Sequence, residues 1–287
     1  MRRGMICLLL PALVLCAGCL DFEKQTLVLK VSPDGKTAEC LLVYEGFGVR
    51  DNKLEAAKGD LKTLATSEEM FYLFTSWPCR IRLTQEAGDD DRTEQYKARL
   101  RQLLTIRAEG FFETADGKVG LWQTLRTKDA PALFAELNRL LAEMLAKRAS
   151  EIRAQGGTPD VDEATRTLWD ALPKSPQKLL VWDAGKLRLT IPATRPTAEK
   201  MRTELIRDEA FRKLFPADTV QVAVTDQGLV ITTGQAGQPV LTIICHSPAN
   251  TPGPDHHTQL RDYARTLPLP VKPGVTPEKL VREFQGK

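Results

Sequence analysis

Short polar turns ending in glycine recur along this chain between runs of alternating apolar residues, and they commit it to antiparallel hairpins. Residues 25–32 put Leu27, Leu29 and Val31 on one face, Pro33-Asp34-Gly35-Lys36 reverses the chain, and 37–47 returns as a second β-rich run. Ala115-Asp116-Gly117 does the same between 104–114 and 118–127, and Asp183-Ala184-Gly185 between 179–182 and 187–191. A fourth set takes in 220–225, Gly228, 229–233 and 240–245, with 234–238 as its second turn.

Helical segments lie between the hairpins. Ser67 followed by Glu68 and Glu69 reads as an N-cap with an acidic first turn, opening a helix that Trp77-Pro78 ends. Asp129 caps the strongest helix, which gathers Leu133, Leu137, Leu140, Leu141, Met144, Leu145 and Ile152 on one stripe. Glu136, Arg139, Glu143, Lys147 and Arg148 take the other side, and Gly156-Gly157 stops it. Asp160 and Asp162 are helix-start residues for 163–172, and a further helix runs over 197–215 to Pro216. The order predicts an α+β fold of antiparallel β-hairpins alternating with helices packed on one sheet face. The Gly-Gly-Thr-Pro linker within 155–159 divides an N-terminal α+β region, 25–155, from a C-terminal one, 160–287, unless the two are one continuous domain. The hairpins share turn chemistry without extended residue identity, which leaves a duplicated ββα unit open.

The start of the chain carries a different signal. Arg2 and Arg3 precede an apolar run from Met5 to Cys16, and Ala17-Gly18 places small residues ahead of Cys19. This resembles the signal peptide and lipobox of bacterial lipoproteins, with Cys16 where that class normally carries Leu. The resemblance implies cleavage after Gly18, lipidation of Cys19, and a place in the bacterial cell envelope, anchored by lipid to a membrane with the domain outside the cytoplasm. Residues 1–18 are then signal peptide and 19–24 a short tether to a first strand near Gln25. That tether reaches roughly 20 Å at ~3.4 Å per residue, which keeps the domain close to the bilayer. The apolar run is itself too short for a span of about 20 helical residues.

Of the 40 basic and 37 acidic side chains, Arg2 and Arg3 leave with the signal peptide, so the remainder is close to balance. Nucleic acid is excluded as a partner, because it demands a basic patch and counterion release. An apolar content of 42% supports a sizeable core. Beyond Cys19 the thiols are Cys40, Cys79 and Cys245, which allow one intrachain disulfide at most. Cys40 and Cys79 are the pair to join if one forms; otherwise all three are buried thiols.

Catalytic motifs are absent: there is no Gly-x-Ser-x-Gly, His-Glu-x-x-His, Gly-x-x-x-x-Gly-Lys or Gly-x-Gly-x-x-Gly in its required setting. Ser175-Pro176-Gln177-Lys178 matches a bare Ser-x-x-Lys but leads into a strand, with no Lys-Thr-Gly after it. Asp89-Asp90-Asp91 lacks the alternating ligands and central glycine of a calcium loop and reads as a solvated turn. All three histidines fall close together, His246 after Cys245, then His256 and His257 beyond a Pro-rich loop. Cys245, His256 and His257 are candidate zinc or copper ligands, weighed against loop histidines and a buried thiol. Neighbouring strand residues point to opposite faces, so Cys245 and His246 do not share an ion. No catalytic residue and no cofactor is assigned.

Arg80, Arg82, Arg99, Arg101 and Arg107 could meet anionic headgroups or a wall polymer, in a field weakened by Glu86, Asp89, Asp90, Asp91 and Glu94. Trp77, Trp122, Trp169 and Trp182 read as packing residues. The expected role is a non-catalytic interaction or structural module near the bilayer. Its partners are the membrane, through the lipid on Cys19, and an envelope protein. The alternatives are an enzyme acting on an envelope polymer or lipid, and a lipid- or small-molecule-binding module.

Overall fold

The computed structural model describes residues 16–17, 19–66, 70–73, 79–84, 90–154, 161–183, 185–208, 211–212, 220–235, 237–238, 240–246 and 256–286. In chain order the elements are β1 Cys16–Ala17, β2 Leu20–Val31, β3 Ala38–Val49, α1 Leu54–Thr66, β4 Met70–Leu73, β5 Cys79–Arg82, α2 Asp91–Leu103, β6 Thr105–Glu113 and β7 Val119–Thr127. There follow α3 Ala130–Ala154, α4 Glu163–Ala171, β8 Leu180–Asp183, β9 Lys186–Ile191, α5 Arg195–Arg207, β10 Val220–Thr225, β11 Gly228–Gly234, β12 Val240–His246, α6 His257–Ala264 and α7 Pro277–Gln285. The fold is α+β. No helix among the described residues is long and apolar enough to cross a membrane.

The chain divides into two compact units. One runs Ala130–Leu241; the other joins Val14–Asp129 to Thr242–Lys287 and is therefore discontinuous in sequence. The seams fall where β7 gives way to α3 and within β12, not in the 155–159 linker, which lies outside the described residues.

The discontinuous unit is built on a five-stranded sheet of order β12-β2-β3-β7-β6, beside a small sheet β1-β5-β4. The turns that close its two hairpins share one chemistry. At the first, Thr37 N–H donates to Ser32 Oγ at 2.9 Å, Lys36 N–H to Asp34 Oδ1 at 3.0 Å, and Gly35 takes φ 69°. At the second, Lys118 N–H donates to Thr114 Oγ1 at 3.0 Å, Thr114 Oγ1 to Asp116 Oδ1 at 2.6 Å, and Gly117 takes φ 78°. Phe22 and Tyr44 meet edge to face at 5.3 Å, and Phe47 stacks on Tyr44 at 6.1 Å. Tyr44 Oη donates to Gln123 Oε1 at 3.0 Å, and the Gln123 amide reaches Leu64 O of α1. On the opposite face Trp122 lies under the Lys272 ammonium. Glu109 is an extra residue in β6, and a Cβ on Gly110 would stand 2.6 Å from the Trp122 ring.

The Ala130–Leu241 unit has a four-stranded sheet of order β10-β11-β9-β8. Val220, Val222 and Val224 turn inward while Gln221, Ala223 and Thr225 stay exposed, the alternation of a sheet covered on one face. Its core joins Leu145, Ala149 and Ile152 of α3, Trp169 of α4, Ala198 and Met201 of α5, and Ile191 and Leu229 of the sheet. Both sheets contain one arrangement: two hairpins whose second strands pair antiparallel at the centre, β3 with β7 and β9 with β11, with a helix after the first hairpin. The ββα order thus recurs in space as well as in turn chemistry.

Several elements differ from the sequence expectation. The residues after Ser67–Glu69, themselves undescribed, form strand β4, and the helix precedes them: Leu54, Ala57, Leu61 and Leu64 recur at helical spacing and the last three are buried. Asp90 is exposed to solvent as expected, and its carboxylate also caps α2 by accepting from Thr93 N–H at 2.7 Å. Glu136 is buried at 8% exposure, held by Arg139, which also takes Glu143 at 2.7 Å. Helix α5 ends at Arg207, capped by Asp208. Strand β12 leaves the β10–β11 hairpin and lies beside β2.

Candidate functional site

Cys19 stands at the entrance to β2. Its successor Leu20 is already in the strand, paired with Val49, and Asp21 pairs with Gly48, Phe22 with Phe47 and Lys24 with Glu45. The expected tether over 19–24 is therefore a correction: apart from Cys19 it is sheet. Leu20 and Phe22 are 0% and 1% exposed, and each such burial contributes about 1.5–3 kcal/mol, enough to hold a short segment down.

The backbone of Cys19 is engaged on both sides. Arg50 N–H donates to Cys19 O at 2.8 Å. Cys19 N–H donates to Asp60 Oδ2 at 2.7 Å, and Leu20 N–H reaches the same oxygen at 3.3 Å. The Arg50 guanidinium lies 3.7 Å from the Asp21 carboxylate. Beyond it Asp51 and Asn52 take φ 52° and 57°, so the chain leaves β3 in a tight left-handed turn. The Cys19 side chain is half-buried and its thiol is free.

Two of the histidines sit on the same unit and bond protein groups. His256 Nε2 meets Asn52 Oδ1 at 2.6 Å and Nδ1 meets Gln259 Oε1 at 3.0 Å, while His257 Nδ1 meets Phe47 O at 2.7 Å. The side chain of Cys245 lies outside the described residues, and no group of three metal-capable side chains occurs among the described residues. Cys40 is a free thiol, so it is not joined to Cys79; burial pushes its pKa up to about 12.

The other candidates scatter. Ser175 is not helical, and the Gln177 amide takes its carbonyl and hydroxyl at 2.9 Å each. Arg99 covers the Tyr96 ring, Arg101 donates to Leu83 O at 2.8 Å, and Arg107 stays exposed beside Glu109; the side chains of Arg80 and Arg82 lie outside the described residues. Trp169 is fully buried, its indole N–H donating to Pro192 O at 2.6 Å; Trp122 is buried and Trp182 half-buried. In the Ala130–Leu241 unit an open cleft of about 530 Å³ is lined by Glu199, Arg202, Thr203 and Val222 to Val224. Arg202 there donates to Val222 O at 3.2 Å, and the lining lacks the apolar walls of a small-molecule pocket.

Asp60 escaped the sequence reading. The signal was present: it falls among Ala57, Leu61 and Leu64 on the apolar face of α1, where a carboxylate needs donors. Its partners are some forty residues earlier, a pairing that spacing does not encode. In comparisons with known proteins, the chain matches no family model, no curated protein and no solved structure.

Proposed function

We propose that the protein is a membrane-anchored lipoprotein of the bacterial cell envelope, cleaved after Gly18 and lipidated on Cys19. Its folded part is a non-catalytic interaction or structural module held against the bilayer. The observation that carries the reading is the join between leader and domain. A basic start, an apolar run and two small residues end at Cys19, and the main sheet begins at the very next residue. Loss of residues 1–18 removes β1 and leaves the whole β2–β3 pairing from Leu20 onward intact. With no leash, the acyl chains leave from the end of β2, and the unit's partner must itself lie near the membrane surface.

The test is expression of the full chain in a lipidating bacterium fed an alkyne fatty acid, followed by tryptic mass mapping. A peptide from Cys19 to Lys24 carrying a diacylglyceryl group, with label abolished by Cys19→Ser, is the expected result. An unmodified peptide running from Gly4 through Lys24, or label that survives Cys19→Ser, removes the reading. Crosslinking in the native envelope tests the module: a stoichiometric protein partner supports it, and capture of lipid alone argues for a binding pocket instead.

A further inference from the structure

We infer that Asp60 is the receptor for the processed amino terminus, binding the Cys19 nitrogen and thereby seating the lipid-bearing residue at the end of β2. The inference rests on the lipoprotein reading and names the device that makes its anchor rigid. Asp60 lies within α1, on the face it shares with buried Ala57, Leu61 and Leu64, and is itself only 9% exposed. A carboxylate in such a place is costly unless donors converge on it. Here the donors include the nitrogen that cleavage after Gly18 would make the first of the chain, at 2.7 Å, and the next one, at 3.3 Å.

The ladder explains why the Leu20 nitrogen is available. Cys19 O accepts from Arg50 N–H, which makes Cys19 and Arg50 a hydrogen-bonding position of the β2–β3 pair. Leu20, next along and opposite Val49, turns its N–H away from β3. On that side it reaches Asp60 Oδ2 at 3.3 Å, a bond the β2–β3 ladder does not supply. An α-ammonium at Cys19 donates to the same oxygen with a full charge, and an N-acylated Cys19 donates through its amide N–H. Asp60 is chemically matched to both states, and the ammonium gives the stronger, charge-assisted contact. Force on the lipid is then passed through Cys19 to α1 as well as to β3.

The experiment is hydrogen exchange on the full-length protein purified in detergent from a lipidating host, resolved to single residues, with the N-terminus identified by mass in the same sample. In Asp60→Ala, which removes the acceptor, exchange at Leu20 is expected to rise about tenfold or more, while Leu61, Leu64 and Val43 keep their protection. Unchanged exchange at Leu20 in a protein that begins at Cys19 overturns the clasp and leaves the lipoprotein reading standing. A mature protein that begins elsewhere overturns both. Should Asp60→Ala not fold, Asp60→Asn, which keeps a neutral acceptor in place of the carboxylate, decides: a measurable rise at Leu20 over the wild type supports the clasp, and exchange at the unfolded rate in the wild type itself refutes it.

Discussion

Asp162 gathers donors from two helices of the Ala130–Leu241 unit, and removing it tests whether polar junctions hold that unit together. It is the N-cap of α4, accepting from Thr165 N–H at 2.7 Å, and its other oxygen accepts from the hydroxyls of Thr197, at 2.7 Å, and Thr194. Thr194 is in turn the N-cap residue of α5, so one side chain ties two helix starts. Burial, the largest single influence, would raise its pKa, but the bonds from Thr194, Thr165 and Thr197 outweigh it and bring the pKa from 3.8 down to about 2. A folded value below the unfolded one stabilises above about pH 4 and is lost as pH falls toward 2. At 1.36 kcal/mol per pH unit, reduced for partial solvent screening, the contribution is about 2 kcal/mol. Asp162→Ala removes it and orphans the Thr165 amide and two hydroxyls, for a total of roughly 2–4 kcal/mol. Asp162→Asn keeps one cap acceptor, costs less, and loses the acid sensitivity between pH 4 and 2. Denaturant titrations followed by tryptophan fluorescence, run at pH 7 and 3, measure all three proteins. A loss under about 0.5 kcal/mol in Asp162→Ala, or an unchanged acid slope in Asp162→Asn, would refute the reasoning.

Three further outcomes are expected. Cys40, with its thiol pushed up to about 12, should resist alkylation in native protein at pH 8 and react at the free-thiol rate once unfolded, as a timed labelling experiment would show. Trp169→Phe strips Pro192 O of its indole donor in a fully buried site and should cost about 1–3 kcal/mol in a denaturant titration, with the fold retained by circular dichroism. Gly185→Ala places a Cβ 2.2 Å from Gln238 O at φ 93°, so a thermal melt should show a clear drop, larger than that of Gly35→Ala, where nothing lies within 4 Å.

The hairpins were legible because their turns are chemically loud: Gly35, Gly117 and Gly185 all take positive φ, and the flanking runs alternate. Asp162 was readable as a cap for the same local reason. What hid was non-local or masked by composition. In the aspartate run the charge of Asp90 and Asp91 is solvated as it reads, and what stayed hidden is that Asp90 caps α2. Residues 20–24 look polar enough for a leash because Asp21, Glu23 and Lys24 outnumber Leu20 and Phe22, yet the two apolar side chains decide. The destination of β12 is written nowhere in its own residues, since backbone donors and acceptors are the same on every sheet edge. Asp60 belongs to that class too: its oddity in α1 was visible and its partner was not.

The discontinuous sheet also sets an order of events. One of its edges is covered by β12, and the other, at β6, by the stretch around Val271, where Phe111 N–H donates to Pro270 O and Lys272 N–H to Phe111 O. Both closures come from residues that leave the ribosome after everything they cover, with the whole Ala130–Leu241 unit in between. Such late, long-range pairing makes for slow folding, because the loop must be closed before its contacts reward it. Until the last residues emerge, the sheet that starts at Leu20 has open edges and an unfinished core. The delay leaves the outer edge of β2 and the free edge of β6 open for as long as the Ala130–Leu241 unit is being made, so the sheet is finished only when the chain is.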